Sequence, residues 1–75
     1  MLSDIVRNTQ ASARALARAQ AWDRACTYAE RDFVAAENRG DTDAAWRHLA
    51  EMQRALLLRE KNMQRHETLR AALGA

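Results

Sequence analysis

Proline is absent from this 75-residue chain, glycine occurs only at Gly40 and Gly74, and Cys26 is the sole cysteine. Each scarcity excludes something. Without proline, no residue removes a backbone donor or stops a helix by ring clash. A single cysteine cannot close an intrachain disulfide, the usual staple of very small folds. The β-branched residues are only Ile5, Val6, Val34 and four threonines, too few to build a sheet. The longest run of large apolar residues is Leu56-Leu57-Leu58, far short of the ~20 that a membrane-spanning helix needs. No basic segment followed by an apolar stretch opens the sequence, as a secretory signal would require. The expectation is a cytoplasmic protein with no membrane segment, in keeping with one unpaired thiol.

The residues that are abundant are helix-forming. Alanine, arginine, glutamate, leucine and glutamine dominate, and all of them favour helix over other backbone states. Ser3 or Asp4 can accept a hydrogen bond from an orphaned backbone N–H and so cap a first helix. Nothing interrupts that helix before Gly40. Along it, Ile5, Ser12, Ala15, Ala19, Trp22, Cys26, Ala29, Phe33 and Ala36 recur at spacings of three and four and their multiples, which places them on one face. Most of these residues are small and permit close approach of a second helix, with Trp22 and Phe33 filling the wider gaps.

Arg39-Gly40-Asp41 reads as stop, turn and start. Glycine can enter the left-handed conformation that closes a helix, Arg39 suits the negative end of the helix dipole, and Asp41 or Thr42 can cap a second helix. That helix is predicted over about 42–73, ended by Gly74. Its apolar stripe is Ala45, Leu49, Met52, Leu56, Met63 and Leu69 or Leu73. Arg59 or Glu60, and then His66, fall where apolar residues are expected, which marks a polar layer, a splayed end or a partner contact. The fold expected is an all-α antiparallel two-helix hairpin over about 4–39 and 42–73 in a single domain, since so short a turn makes the helices neighbours. Counting outward from Gly40 sets Ala36 opposite Ala45, Phe33 opposite Leu49, Ala29 opposite Met52 and Cys26 opposite Leu56. Trp22 then falls near Arg59, where a cation–π pair is possible in principle, Ala19 near Met63, and Ser12 near His66 or Leu69.

One seam does not use all the apolar residues. Tyr28, Trp46, Leu57 and Leu58 lie off the stripes, as do Leu16 and Val34. Trp46, Leu49, Leu57 and Tyr28 are expected to form one patch. Exposed patches of this kind mark interfaces, and aromatic residues are enriched where binding energy concentrates. The expected partner is a protein, in the simplest case a second copy forming a homodimeric four-helix bundle.

The stretch Tyr28–Leu58 resembles a single tetratricopeptide-type hairpin. The residues that carry the likeness are Gly40-Asp41, then Ala44, Ala45 and Trp46, then Ala55-Leu56. The resemblance implies two antiparallel helices joined at the glycine–aspartate turn, in a family whose stacked hairpins form a peptide-binding groove. The chain has no second repeat and no closing proline, and a lone unit lacks the neighbours that such a groove needs.

Candidate chemistry is sparse. His48 and Glu51 share a helix face, but the di-metal bundle motif places glutamate three residues before histidine, whereas Ala45 precedes His48 and Met63 precedes His66. Cys26 sits in the apolar stripe and reads as a small buried hydrophobe. No serine or tyrosine is spaced from a histidine as a nucleophile requires, so neither enzymatic activity nor a metal, cofactor or small-molecule substrate is expected. Arginine outnumbers lysine eleven to one, yet the net charge is only +2. Arg47, Arg54, Lys61 and Arg65 line one face of the second helix, with Glu51 and Leu58 between them, and Arg7, Arg14 and Arg18 cluster on the first. Such a stripe can track phosphates, although Glu30, Glu37, Glu51, Glu60 and Glu67 are interleaved with it. The sequence therefore points to a non-enzymatic interaction module acting through Tyr28, Trp46, Leu57 and Leu58. The alternative is a dimeric RNA- or DNA-binding hairpin using Arg47, Arg54, Lys61 and Arg65.

Overall fold

The computed structural model describes residues 2–74. Helix α1 spans Leu2–Arg39 and helix α2 spans Thr42–Gly74. They form a rod whose Cα atoms extend 58 × 13 × 13 Å. This is the antiparallel hairpin expected from the sequence.

The turn satisfies the backbone groups that two helix ends leave open. Gly40 has φ 73°, the left-handed conformation in which a Cβ is costly. Its N–H donates to the Glu37 carbonyl at 3.0 Å, and the Asp41 N–H donates to the Ala36 carbonyl at 2.9 Å. This paired arrangement closes α1. Asp41 then starts α2. Its Oδ1 accepts from the Ala44 N–H at 3.1 Å, and its carbonyl accepts from the Ala45 N–H at 3.0 Å. Asp41 rather than Thr42 is therefore the cap, and one residue serves both helices.

Both outer ends differ from expectation. α1 already includes Leu2, so Ser3 and Asp4 lie in its first turn instead of capping it. α2 includes Gly74, which does not adopt a left-handed conformation. Ile5, which its spacing sets on the seam, is 55% exposed. Ser12 is bonded to His66; eight residues back along α1 and eight forward along α2 lead from that bond to Asp4 and Gly74. Ile5 is thus at the open end of the hairpin, where α2 runs out.

The core is made of small side chains. Ser12, Ala15, Ala19, Cys26, Ala29 and Ala36 of α1 are buried, as are Ala44, Ala45 and Ala55 of α2. Among the described residues no large side chain is fully buried. Ala36, Ala44 and Ala45 pack as a cluster with Phe33 against it, next to the turn. Trp22, Phe33, Leu49, Met52 and Leu56 are half-buried and flank the seam rather than fill it. Ala55, not Leu56, is the deeper residue on α2, because successive residues point about 100° apart and the rotation of α2 turns Ala55 to the seam.

The polar layer is present. Arg59, Asn62 and His66 are half-buried along the second half of α2. Arg59 Nη1 donates to Asp23 Oδ1 at 2.8 Å, and that hydrogen bond raises the arginine pKa above its ordinary value. The guanidinium is therefore given to a carboxylate, not to the Trp22 ring as counting from the turn suggests. Asn62 Nδ2 donates to the Leu58 carbonyl of its own helix at 2.7 Å.

Candidate interaction faces

Two shallow grooves run beside the seam. The first is lined by Phe33, Glu37, Gly40, Thr42, Ala45, Trp46 and Leu49. The second is lined by Trp22, Ala25, Tyr28, Ala29, Asp32, Glu51, Arg54 and Ala55. A helix turns by about 100° per residue. On α1, Glu37 lies to one side of the seam and Tyr28 and Asp32 to the other; on α2, Trp46 and Leu49 lie to one side and Glu51 and Arg54 to the other. The grooves are therefore on opposite faces of the rod, called here the Trp46 face and the Tyr28 face.

This arrangement separates residues that the apolar pattern of the sequence groups together. Trp46, 67% exposed, belongs to the Trp46 face together with Leu49, whereas Leu57, 70% exposed, lines neither groove and points away from the seam. Tyr28, 56% exposed, belongs to the opposite face and lies under the Arg31 guanidinium, 5.4 Å from the ring centre. Leu58 is half-buried and turns toward the Tyr28 face, one residue step from Leu57. The single patch expected from Trp46, Leu49, Leu57 and Tyr28 is thus divided: Trp46 and Leu49 share one groove, Tyr28 lines the other, and Leu57 lines neither.

The fold also groups residues that are far apart in sequence. Arg47, Arg54, Lys61 and Arg65 are all exposed and follow the α2 flank of the Tyr28 face. Arg14 and Arg18 follow the α1 flank of the same face. Antiparallel pairing therefore merges two arginine clusters into one basic side, which also carries Asp4, Asp32 and Glu51. The Trp46 face collects Asp23, Glu30, Glu37, Glu60 and Glu67, with Arg59 already tied to Asp23 and Arg70 near the open end. Sequence spacing alone places charges on one helix; which flanks come together depends on the register of two.

The remaining candidate groups have local partners. His48 Nδ1 is 3.3 Å from Glu51 Oε2. His66 is occupied with Ser12. The two histidines are eighteen residues apart on one helix, about 27 Å at 1.5 Å per residue, too far to share an ion. Cys26 is buried in the seam. Among the described residues no helix is long and apolar enough to cross a membrane. The chain matches no family model, and no significant match is found among curated proteins or solved structures.

Proposed function

We propose that this hairpin is a non-enzymatic protein–protein interaction module that completes its fold by packing helix faces against further helices, a second copy in a four-helix assembly being the simplest case. One observation carries this reading: the seam is lined with alanine, while Trp46 and Leu57 stand more than two-thirds exposed. In a self-sufficient small fold the largest apolar side chains would be the ones removed from water. Here Trp46 and Leu57 are left outside, and exposed apolar surface of that kind marks an interface.

Binding to RNA or DNA through Arg47, Arg54, Lys61 and Arg65 is the second reading. It is favoured by the merging of the α1 and α2 arginine clusters on one side. The protein reading is preferred because it accounts for the exposed Trp46 and Leu57, for which phosphate contact has no use.

The test is recovery of a complex from extract of the native host by the tagged chain, compared with Trp46→Ala and Leu57→Ala variants. The expected result is loss of the protein complex with each variant at unchanged helicity. Recovery of nucleic acid that survives both variants and disappears with Arg54→Glu would replace this reading with the second one.

A further inference from the structure

The two faces differ in a way that bears on how copies would meet. The Trp46 face carries bulky apolar side chains among carboxylates, with Trp46 and Leu49 beside Glu37. The Tyr28 face has a groove lined by Trp22, Ala25, Tyr28, Ala29 and Ala55, with Asp32, Glu51 and Arg54 as its charged residues. One face offers a projecting ring and net negative charge; the other offers a recess on a face whose charge is net positive through Arg14, Arg18, Arg47, Arg54, Lys61 and Arg65.

From this complementarity we infer that a second copy docks heterologously, its Trp46 face seated on the Tyr28 face of the first, with Trp46 entering the alanine-lined groove. The inference rests on the interaction-module reading and specifies its partner. A symmetric dimer joins a patch to itself. Through the Trp46 face it would set Glu30 and Glu37 against like charges, and through the Tyr28 face it would set Arg47, Arg54 and Arg65 against theirs. Like charges opposed across an interface are strongly disfavoured. Acidic face on basic face removes that conflict and joins knob to recess. Such a contact uses different surfaces on the two copies, so each bound copy still offers one free face. Assembly then continues to a ring or an open stack instead of stopping at two.

The experiment is sedimentation equilibrium of the purified full chain over roughly tens to hundreds of micromolar, spanning the dissociation constants typical of modest interfaces, at low and high salt. The wild-type mass is expected to rise past that of a dimer with concentration, and less so in high salt. Trp46→Ala and Ala25→Trp alter opposite faces, one removing the ring and the other filling the recess. Each alone should weaken self-association about tenfold or more. Mixed together they should form a complex of one to one that grows no further, since only one productive pair of faces remains. Glu37→Arg and Arg54→Glu are the exposed-site counterparts, which do not depend on Ala25→Trp folding: each alone should weaken association, and the mixture should recover it. A wild-type chain that stays monomeric, a mass that stops at the dimer, or a face whose substitutions leave association unchanged would overturn the inference. None of those outcomes bears on capture of a different protein by the Trp46 face, which the extract experiment reads separately.

Discussion

His66 and Ser12, 54 residues apart in sequence, meet through two contacts: the histidine Nδ1 lies 2.8 Å from the Ser12 Oγ and 3.0 Å from the Ser12 carbonyl oxygen. A carbonyl oxygen only accepts, so Nδ1 carries a proton and donates. Among the described residues Ser12 is the one buried polar residue of the seam, and this bond is what makes its burial tolerable. Replacing His66 with Leu leaves that hydroxyl without its partner and is expected to cost about 1–3 kcal/mol in unfolding free energy. The double variant Ser12→Ala with His66→Leu should cost less than the two singles combined, because both polar partners are then gone. Urea denaturation at fixed protein concentration measures all three; strict additivity would show that the bond does not couple the helices.

At the turn, Gly40 at φ 73° has nothing within 4 Å of where a Cβ would stand. Any penalty for Gly40→Ala is therefore conformational and not steric. A loss of about 1–2 kcal/mol is expected, with Gly40→Asn closer to wild type, since asparagine tolerates this conformation. An alanine variant as stable as wild type would mean the turn can be made another way.

Asp41 serves the second helix through the bond to the Ala44 N–H. Asp41→Ala should cost about 0.5–2 kcal/mol, and Asp41→Ser should recover most of it. Thermal melting followed by circular dichroism is sufficient, and equal losses for the two variants would show that the side-chain oxygen is not what matters.

Ala36 is 0% exposed, packed beside Ala44 and Ala45. Ala36→Leu adds three carbons at a fully buried position beside the turn and is expected to destabilise by about 1–3 kcal/mol. The same change at exposed Ala50 is expected to have little effect, which controls for helix propensity. A stabilising Ala36→Leu would place the seam elsewhere.

The Asp23–Arg59 pair is largely solvent-exposed, with side-chain exposures of 57% and 35%. Asp23→Asn should lower the melting midpoint only slightly at low salt, with the difference vanishing in high salt, as screening removes exposed ion pairs. A large loss that persists in salt would show that Arg59 depends on Asp23 for more than charge.

The arrest of α1 at Gly40, the restart at Asp41 and the polar positions inside the α2 stripe were all legible in the residues. Each is a local matter: a backbone conformation only glycine enters cheaply, a side chain able to accept from an N–H three residues on, a periodicity broken by Arg59 and His66. Counting from the turn leaves Ser12 near His66 or Leu69, because a rigid helix carries register over its length, and the structure selects His66. The division of Tyr28 from Trp46, the preference for Ala55 over Leu56 at depth, and the capture of Arg59 by Asp23 do not emerge from such counting. Those depend on how closely the two axes approach and on which flank of each helix the crossing leaves uncovered. The sequence by itself determined that there would be two helices and where they turn, since backbone propensity and capping act within a few residues. Only the tertiary structure decided that the hairpin has an acidic face bearing Trp46 and a basic face bearing Tyr28, because a face of the rod is made from both helices at once.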